Sequence, residues 1–508
     1  MKNKKDMKNN YADYKSTMQK IADVEHSIGI LSWDKEVNLP KAAAGIRSQQ
    51  VATLSGIAHD LFTDQKLGDL LEQLSTDKTL SVAEAKNIAL TLKDYRRAKK
   101  YTTEFVMRRS RLISESYHAW LKARAANDFS LFEAPLTKLV ALKREEADLL
   151  GFEDHPYNAL LDQYEEDATV KELDILFKDV KEQLVAYVGE LKKRPQVEDQ
   201  FLYKFYQKDK QWEFGLFILK EIGYNFDAGR QDVSAHPFTT SFGPTDVRVT
   251  TRIDEHNFGN MTWSCIHEGG HALYEQGLPI ESYGLPTGKY ISLGIHESQS
   301  RLWENNVGRS LPFWQKYYSD LQESFPGNLG KLPVNDFYQG INKITPSLIR
   351  TESDELHYHF HVLIRYEIEK ALIEGSLQVS EVKEAWNSKY KAYLNMDVPN
   401  DITGILQDIH WSHGSIGYFP TYSLGSFYAA QFFQQAEKDI PDLRIQITAG
   451  NHQPLLDWLR TNVHQHGHLY TAKELCIRIT GEPLNFKYFM DYARKKYDGI
   501  YEAVEQVV

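Results

Sequence analysis

WSCIHEGGHALYEQG, residues 263 to 277, is the stretch on which the fold turns. Trp263, Ile266, Ala272, Leu273 and Tyr274 are placed as in a helix packed against a core. Two adjacent glycines, Gly269 and Gly270, nevertheless stand inside that helix, each costing about 1 kcal/mol relative to alanine. They fall where His267 and His271 are four residues apart. Bare backbone beside that face leaves space for a packed neighbour or for a substrate.

Outward from this helix the chain reads as helix almost everywhere. Residues 12–26 and 46–74 carry apolar side chains at three-to-four spacing, among them Ile57, Leu61, Leu67, Leu70, Leu71 and Leu74. Residues 80–150 continue the pattern, with no proline before Pro135. Thr169 followed by KELDILFKDVKEQL predicts a capped helix start, with Glu172 at the capping-box position. Residues 435–508 are again helical in pattern. No fixed-period repeat, low-complexity tract or Gly/Pro/Ser linker divides the chain, so a single, large, mostly α domain over 1–508 is expected.

One segment breaks the rule. In GPTDVRVTTRI, residues 243 to 253, Val247, Val249, Thr251 and Ile253 alternate with Asp246, Arg248, Thr250 and Arg252. Period two with β-branched residues predicts a strand, one face apolar and the other charged. Its place just before the two-histidine helix suits an edge along which an extended peptide pairs.

Composition narrows the function classes. The 508 residues are 42% hydrophobic and 25% charged, with a net charge of −11. No long basic stripe occurs, so neither nucleic acid nor an anionic membrane is an expected partner. No apolar run reaches the roughly 18 residues of a membrane span. The start, MKNKKDMKNNYADYKS, has no apolar stretch behind its charges and does not read as a signal peptide. Two cysteines, Cys265 and Cys476, make no disulfide framework. A cytoplasmic protein is expected.

HEGGH fits the H-E-x-x-H pattern. On a helix His267 and His271 share one face and can aim ring nitrogens at one metal ion. Glu268 projects about 100° round the helix, within reach of a water beside the metal without ligating the ion. A catalytic zinc site takes three protein ligands and keeps a fourth position open. Glu275, about 6 Å up the axis from His271, is badly placed to close round the same ion. ISLGIHESQSRLWENN reads as the next helix and offers His296, Glu297 and Glu304. Glu297 and Glu304 are seven apart and share a face, so one can ligate while the other supports a histidine. These mechanics alone leave the three unranked.

The chain resembles the carboxypeptidase Taq family of metallocarboxypeptidases. The resemblance rests on motifs in the family's order: HPF (236–238), DVRVT (246–250), HEGGH (267–271), HESQ (296–299), IRTESD (349–354) and GILQDIHW (404–411). Weaker echoes, LSWDKEVNLP (31–40) and YNALLDQYEED (157–167), extend it over nearly the whole chain. One departure is Ser353, where the family usually has alanine. The resemblance implies the metal ligands His267, His271 and Glu297, with Glu268 as general base. It implies one zinc ion per chain, cobalt being the alternative, and a mostly helical fold with a long groove. An N-terminal helical part, about 1–235, would cover that groove and a catalytic part, about 236–508, would form it. A homodimer is also implied.

A carboxypeptidase must hold a free α-carboxylate, which arginine does best through paired charge-assisted bonds. Arg350 ranks first, with Asp354 one helical turn on to orient it; Arg248, partnered by Asp246, and Arg301 follow. The alternative for Arg350 and Asp354 is a purely structural pair. The oxyanion needs donors besides the metal. DIHWSHGSIGYFPTYSLG, residues 408 to 425, supplies His410, His413, Tyr418 and Tyr422. The spacing of His413, Tyr418 and Tyr422 also resembles the thimet oligopeptidase group, where such residues line the catalytic site. His357, His359 and His361 lack a glutamate after His357 and read as core histidines. Cys265, roughly 200° round the helix from His267, reads as a packed thiol.

The expected function is removal of C-terminal residues from peptides by a metal-dependent carboxypeptidase. A metallo-endo-oligopeptidase without a carboxylate clamp is the alternative, and an inactive helical scaffold is a third reading that an intact Glu268 disfavours.

Overall fold

A computed structural model describes residues 4–505 of the chain. The extreme ends of the 1–508 unit, including the first residues of the charged N-terminus, lie outside the described residues. From Lys4 the chain runs through long helices, Lys4–Val37, Ala44–Thr63, Gln65–Ser75, Val82–Lys100, Thr103–Ala126 and Ser130–Leu150. Pro135 lies inside the last of these, past its first turn, so its missing N–H leaves the Leu131 carbonyl without its helical donor. Thr169 caps the helix Val170–Leu191, accepting from the Glu172 N–H at 3.2 Å. The Glu172 carboxylate meets the Thr169 hydroxyl, not its backbone N–H. No helix among the described residues is long and apolar enough to cross a membrane.

Two cores, beside a third small cluster of Phe105, Leu139 and Leu142, carry the fold. Tyr14, Ile21, Leu67, Leu71, Leu74, Ile88 and Leu92 bind the N-terminal helices together and reach Leu285. Ile57, expected in that stripe, is 45% exposed. The helix Ala44–Thr63 rests on the first helix as the outer arm of a hairpin and buries only Ala58. The larger core runs from Trp120 to Tyr501 and surrounds the helix Phe258–Glu275, here the HEGGH helix.

The sheet has three short strands, β1 (Gln231–Val233), β2 (Thr239–Ser241) and β3 (Val247–Thr251), in the order β1-β3-β2. β3, the strand read from the sequence, is therefore central and has no free edge: β1 pairs with it in parallel and β2 antiparallel. The edge beside the HEGGH helix belongs to β2. Its three residues, Thr-Thr-Ser, are too few for a period-two signal, which is why sequence periodicity picks out its partner instead.

The two glycines answer to packing. A Cβ on Gly270 would stand 2.7 Å from the Gln299 carbonyl oxygen and 2.7 Å from Ser300 Cα. A Cβ on Gly269, about 100° round the helix, would meet Leu219 Cδ2 at 2.8 Å and Ile222 Cδ1 at 2.9 Å. Gly270 thus lets the helix Leu293–Arg301, here the HESQ helix, lie backbone against backbone on the HEGGH helix. The room is for a neighbour, and that neighbour carries Glu297.

Candidate active site

The HEGGH and HESQ helices bring His267, His271 and Glu297 together, the one group among the described residues able to hold a metal ion. Glu297 Oε2 lies 3.4 Å from His271 Nε2 and 3.7 Å from His267 Nε2. Zinc–ligand bonds of about 2.0–2.1 Å at a tetrahedral centre put neighbouring ligand atoms roughly 3.4 Å apart. Two imidazoles and a carboxylate at that spacing fit a divalent ion. Burial, reinforced by His296, pushes His271 down to about 3, which keeps its imidazole neutral as a ligand must be. Burial alone would raise the Glu297 carboxyl, but Arg301 and the two histidines hold it well below the usual carboxylate range.

Of the other candidates, Glu304 supports and His296 stands aside. Glu304 Oε2 accepts from His267 Nδ1 at 2.9 Å, which leaves the His267 Nε2 lone pair facing Glu297 and His271. Glu304 reaches back because the HESQ helix runs on as a π-helix, Leu302–Gly308, whose wider turn re-aims the side chain. His296 Nε2 bonds Glu275 Oε1 at 2.9 Å, and its ring stacks on His271 with centroids 4.4 Å apart. Arg301 donates from Nε to Glu297 Oε1 at 2.8 Å and from Nη1 to Glu304 Oε2 at 3.2 Å. It is tied to the Glu297 and Glu304 carboxylates and is no free clamp.

Glu268 is buried, and burial raises its carboxyl above the ordinary value. Thr239 of β2 places its hydroxyl 2.6 Å from Glu268 Oε2 and 3.0 Å from the Glu268 carbonyl. Sequence reasoning did not find Thr239; its only signal is that it follows the HPF motif directly.

Arg350 is 6% exposed and lies in a 3-10 turn. It does not use Asp354. Its Nε and Nη2 both donate to Asp408 Oδ1 at 3.0 Å, and Nη1 donates to the Tyr358 hydroxyl at 2.9 Å. The turn carries the side chain away from residue 354, which the i,i+4 spacing of an α-helix would have brought close. Asp354 instead accepts from the backbone N–H groups of Thr345, Leu356 and His357 and bonds His357 Nδ1. Asp408 Oδ2 takes a second arginine, Arg365, through Nε at 2.6 Å. Two guanidinium groups against one carboxylate leave a buried excess of positive charge. Tyr358 joins this group to the histidine–carboxylate cluster, since Arg301 lies 4.5 Å over its ring.

The 408–425 segment divides in two. His410 Nε2 is 3.0 Å from the Tyr422 hydroxyl, and the Tyr418 ring lies 5.3 Å from His410 and 5.2 Å from Tyr422. Arg350 sits 4.7 Å over the Tyr422 ring. Burial raises both phenols, Tyr418 to about 12 and Tyr422 well above its ordinary value, and the Glu297 charge adds to each. Burial also pushes His410 down to about 3, so its imidazole is neutral. His413 is exposed and faces Tyr117, its ring 5.0 Å away, apart from this group. Arg248 pairs with Asp246 through Nε and Nη2, both at 2.8 Å, and lies 4.4 Å over the Trp33 ring. It makes no contact with the histidine–carboxylate cluster among the described residues.

The decoys are core. His357, His359 and His361 are fully buried, with their Nδ1 atoms on Asp354, Ser423 and Tyr390. Cys265 is buried 3.4 Å from Met261 Sδ, and burial pushes its thiol up to about 12.

Residues 13–497 match the family model described as carboxypeptidase Taq (M32) metallopeptidase. Thermostable carboxypeptidase 1 of Thermus thermophilus is 39% identical, with 94% of this chain and 96% of the relative covered. Carboxypeptidase 1 of Bacillus subtilis is 37% identical over 95% of this chain and 97% of its own. Among solved structures, the M32 carboxypeptidase of Deinococcus radiodurans superposes with a TM-score of 0.95 at 35% identity, covering 97% of this chain and 100% of that one.

Proposed function

This chain belongs to the carboxypeptidase Taq (M32) family of metallopeptidases, and from that premise we propose how its side chains divide the work. The protein is a metal-dependent carboxypeptidase, hydrolysing peptides from the C-terminal end. His267, His271 and Glu297 hold the ion, zinc or alternatively cobalt, one per chain. A divalent ion there acidifies water and polarises the scissile carbonyl. Glu268 takes the proton of the attacking water, held in place by the Thr239 hydroxyl. Tyr418 and Tyr422 face the developing oxyanion as donors, while His410 donates from Nε2 to the Tyr422 hydroxyl and so leaves that hydroxyl's own proton for the oxyanion.

The observation that carries the exopeptidase reading is the buried excess charge at Arg350, Arg365 and Asp408, linked through Tyr358 to the metal ligands. A free α-carboxylate neutralises it; an internal peptide bond does not. No comparable observation favours the endo-oligopeptidase reading. Arg248 and His413, placed apart from this group, belong on our reading to the outer walls of the groove. By the alternation of an antiparallel ladder, the backbone groups of Thr239 and Ser241 point away from β3. A substrate strand pairs along that edge of β2. The N-terminal part, about 1–235, covers the groove as one unit with the catalytic part, about 236–508. The first helix packs Gly29 on Phe242, and Thr103–Ala126 packs on residues 410–413. We further assign a cytoplasmic location, a homodimer, and no nucleic-acid or membrane partner. Metal analysis of the purified protein, with mass spectrometry of one peptide digested as free acid and as C-terminal amide, tests the reading; internal cleavage of both forms at equal rates would overturn it.

A further inference from the structure

Glu369 is fully buried in the helix Tyr358–Glu374, yet it takes no part in the chemistry above. Its carboxylate accepts from three neutral donors. Tyr157 Oη lies 2.5 Å and the Gly417 N–H 2.9 Å from Oε2, and Trp411 Nε1 lies 2.8 Å from Oε1. It has no ion-pair partner among the described residues, and Lys143, whose charge reaches it, is paired with Glu146. Burial pushes the group up to about 7. An unpaired buried carboxyl is costly to keep, so the bonds it makes need a purpose beyond filling space.

Those bonds go to chosen places. Trp411 directly follows His410, and Gly417 directly precedes Tyr418. Gly417 has φ +102°, and a Cβ there would stand 2.9 Å from the Leu160 backbone, so the segment lies flat on the helix Pro156–Leu161 that carries Tyr157. One carboxylate therefore fastens both ends of the stretch between the two donors, and fastens that stretch to the YNALLDQYEED segment. The same segment holds the metal side. Glu165 Oε2 accepts from the Gly294 N–H at 2.9 Å, and the Tyr164 carbonyl accepts from the Leu293 N–H at 3.1 Å, both in the first turn of the HESQ helix.

We infer that Glu369 is a positioning residue for His410 and Tyr418, acting through Trp411 and Gly417, and that residues 157–165 set the distance between these donors and Glu297. The inference rests on the assignment of His410 and Tyr418 to the substrate side of the site.

Glu369→Gln turns an NH2 group toward at least one of three fixed donors. The metal-loaded full-length variant is expected to exchange the Gly417 amide faster. Misplacement of this kind costs roughly ten- to a hundredfold in kcat, with KM and metal affinity unchanged. Trp411→Phe removes one anchor while keeping an aromatic ring and serves if Glu369→Gln does not fold. It should lower kcat in the same way, and the double variant should lose no more than the worse single one. A lowered melting temperature with unchanged kcat in both variants would overturn the inference. Tyr418→Phe and His410→Ala keep the two readings apart. If neither lowers kcat the site assignment fails, whereas a loss there with none in Glu369→Gln or Trp411→Phe sinks the positioning role alone.

Discussion

Arg350 donates to Asp408 from two nitrogens, Nε and Nη2, yet both bonds end on one oxygen, Oδ1, at 3.0 Å. The other oxygen belongs to Arg365. With Nη1 also bonded to Tyr358, Arg350 keeps two of its five hydrogens unassigned. Its guanidinium is thus fixed in direction but unsaturated. A charged hydrogen bond to a substrate carboxylate is worth roughly 1.5–3 kcal/mol, so amidating the substrate should lower kcat/KM by about ten- to a hundredfold. Arg350→Ala should lose a similar factor on free acids and then show little sensitivity to amidation. Additive losses in the variant and the amide would mean that Arg350 does not touch the carboxylate.

Glu268→Gln keeps the shape of the side chain and its contact with Thr239 but removes the base. The variant should retain metal and the wild-type KM while kcat falls about a hundred- to ten-thousandfold. Metal analysis beside steady-state kinetics checks both halves, and near wild-type turnover would place the base elsewhere.

Much of this site is legible in the chain itself, for a definite reason. His267, Glu268 and His271 sit within one helical turn, where spacing dictates direction. Glu297 and Glu304 share a face seven residues apart, and the structure puts one beside both histidines and the other behind His267. What fails is pairing over distance. Arg350 and Asp408 are 58 residues apart, and the local Asp354 is the partner that helical spacing suggests. The same holds for β2, whose three residues carry no periodicity yet form the edge beside Glu268. Glu369 is invisible for a third reason: in YHFHVLIRYEIEKALIE it is one of three glutamates, and nothing in their spacing marks what each will bond.

Glu304 offers a graded test of the metal assignment. Removing the hydrogen-bond partner of a ligand histidine costs about ten- to a hundredfold in metal affinity. Glu304→Ala should show that loss, while Glu297→Ala, lacking a ligand, should bind metal far more weakly still. Zinc titration of the two metal-free variants decides it. Tighter binding by Glu297→Ala than by Glu304→Ala would exchange their roles.

The last prediction concerns the glycines of the HEGGH helix. They carry different burdens, because Gly270 faces backbone and Gly269 faces side-chain ends. A methyl group on Gly269 meets Leu219 Cδ2 and Ile222 Cδ1, which can turn aside. A methyl group on Gly270 meets the Gln299 carbonyl and Ser300 Cα at 2.7 Å, and neither can yield without moving the HESQ helix. Overpacking of this kind costs about 1–3 kcal/mol, partly offset by the gain in helix propensity of about 1 kcal/mol from glycine to alanine. Gly269→Ala should therefore be close to neutral in urea unfolding. Gly270→Ala should unfold at lower urea and bind zinc more weakly, since the displaced helix carries Glu297 away from His267 and His271. Equal metal affinity in both variants would show that the close approach of the two helices does not set the ligand geometry.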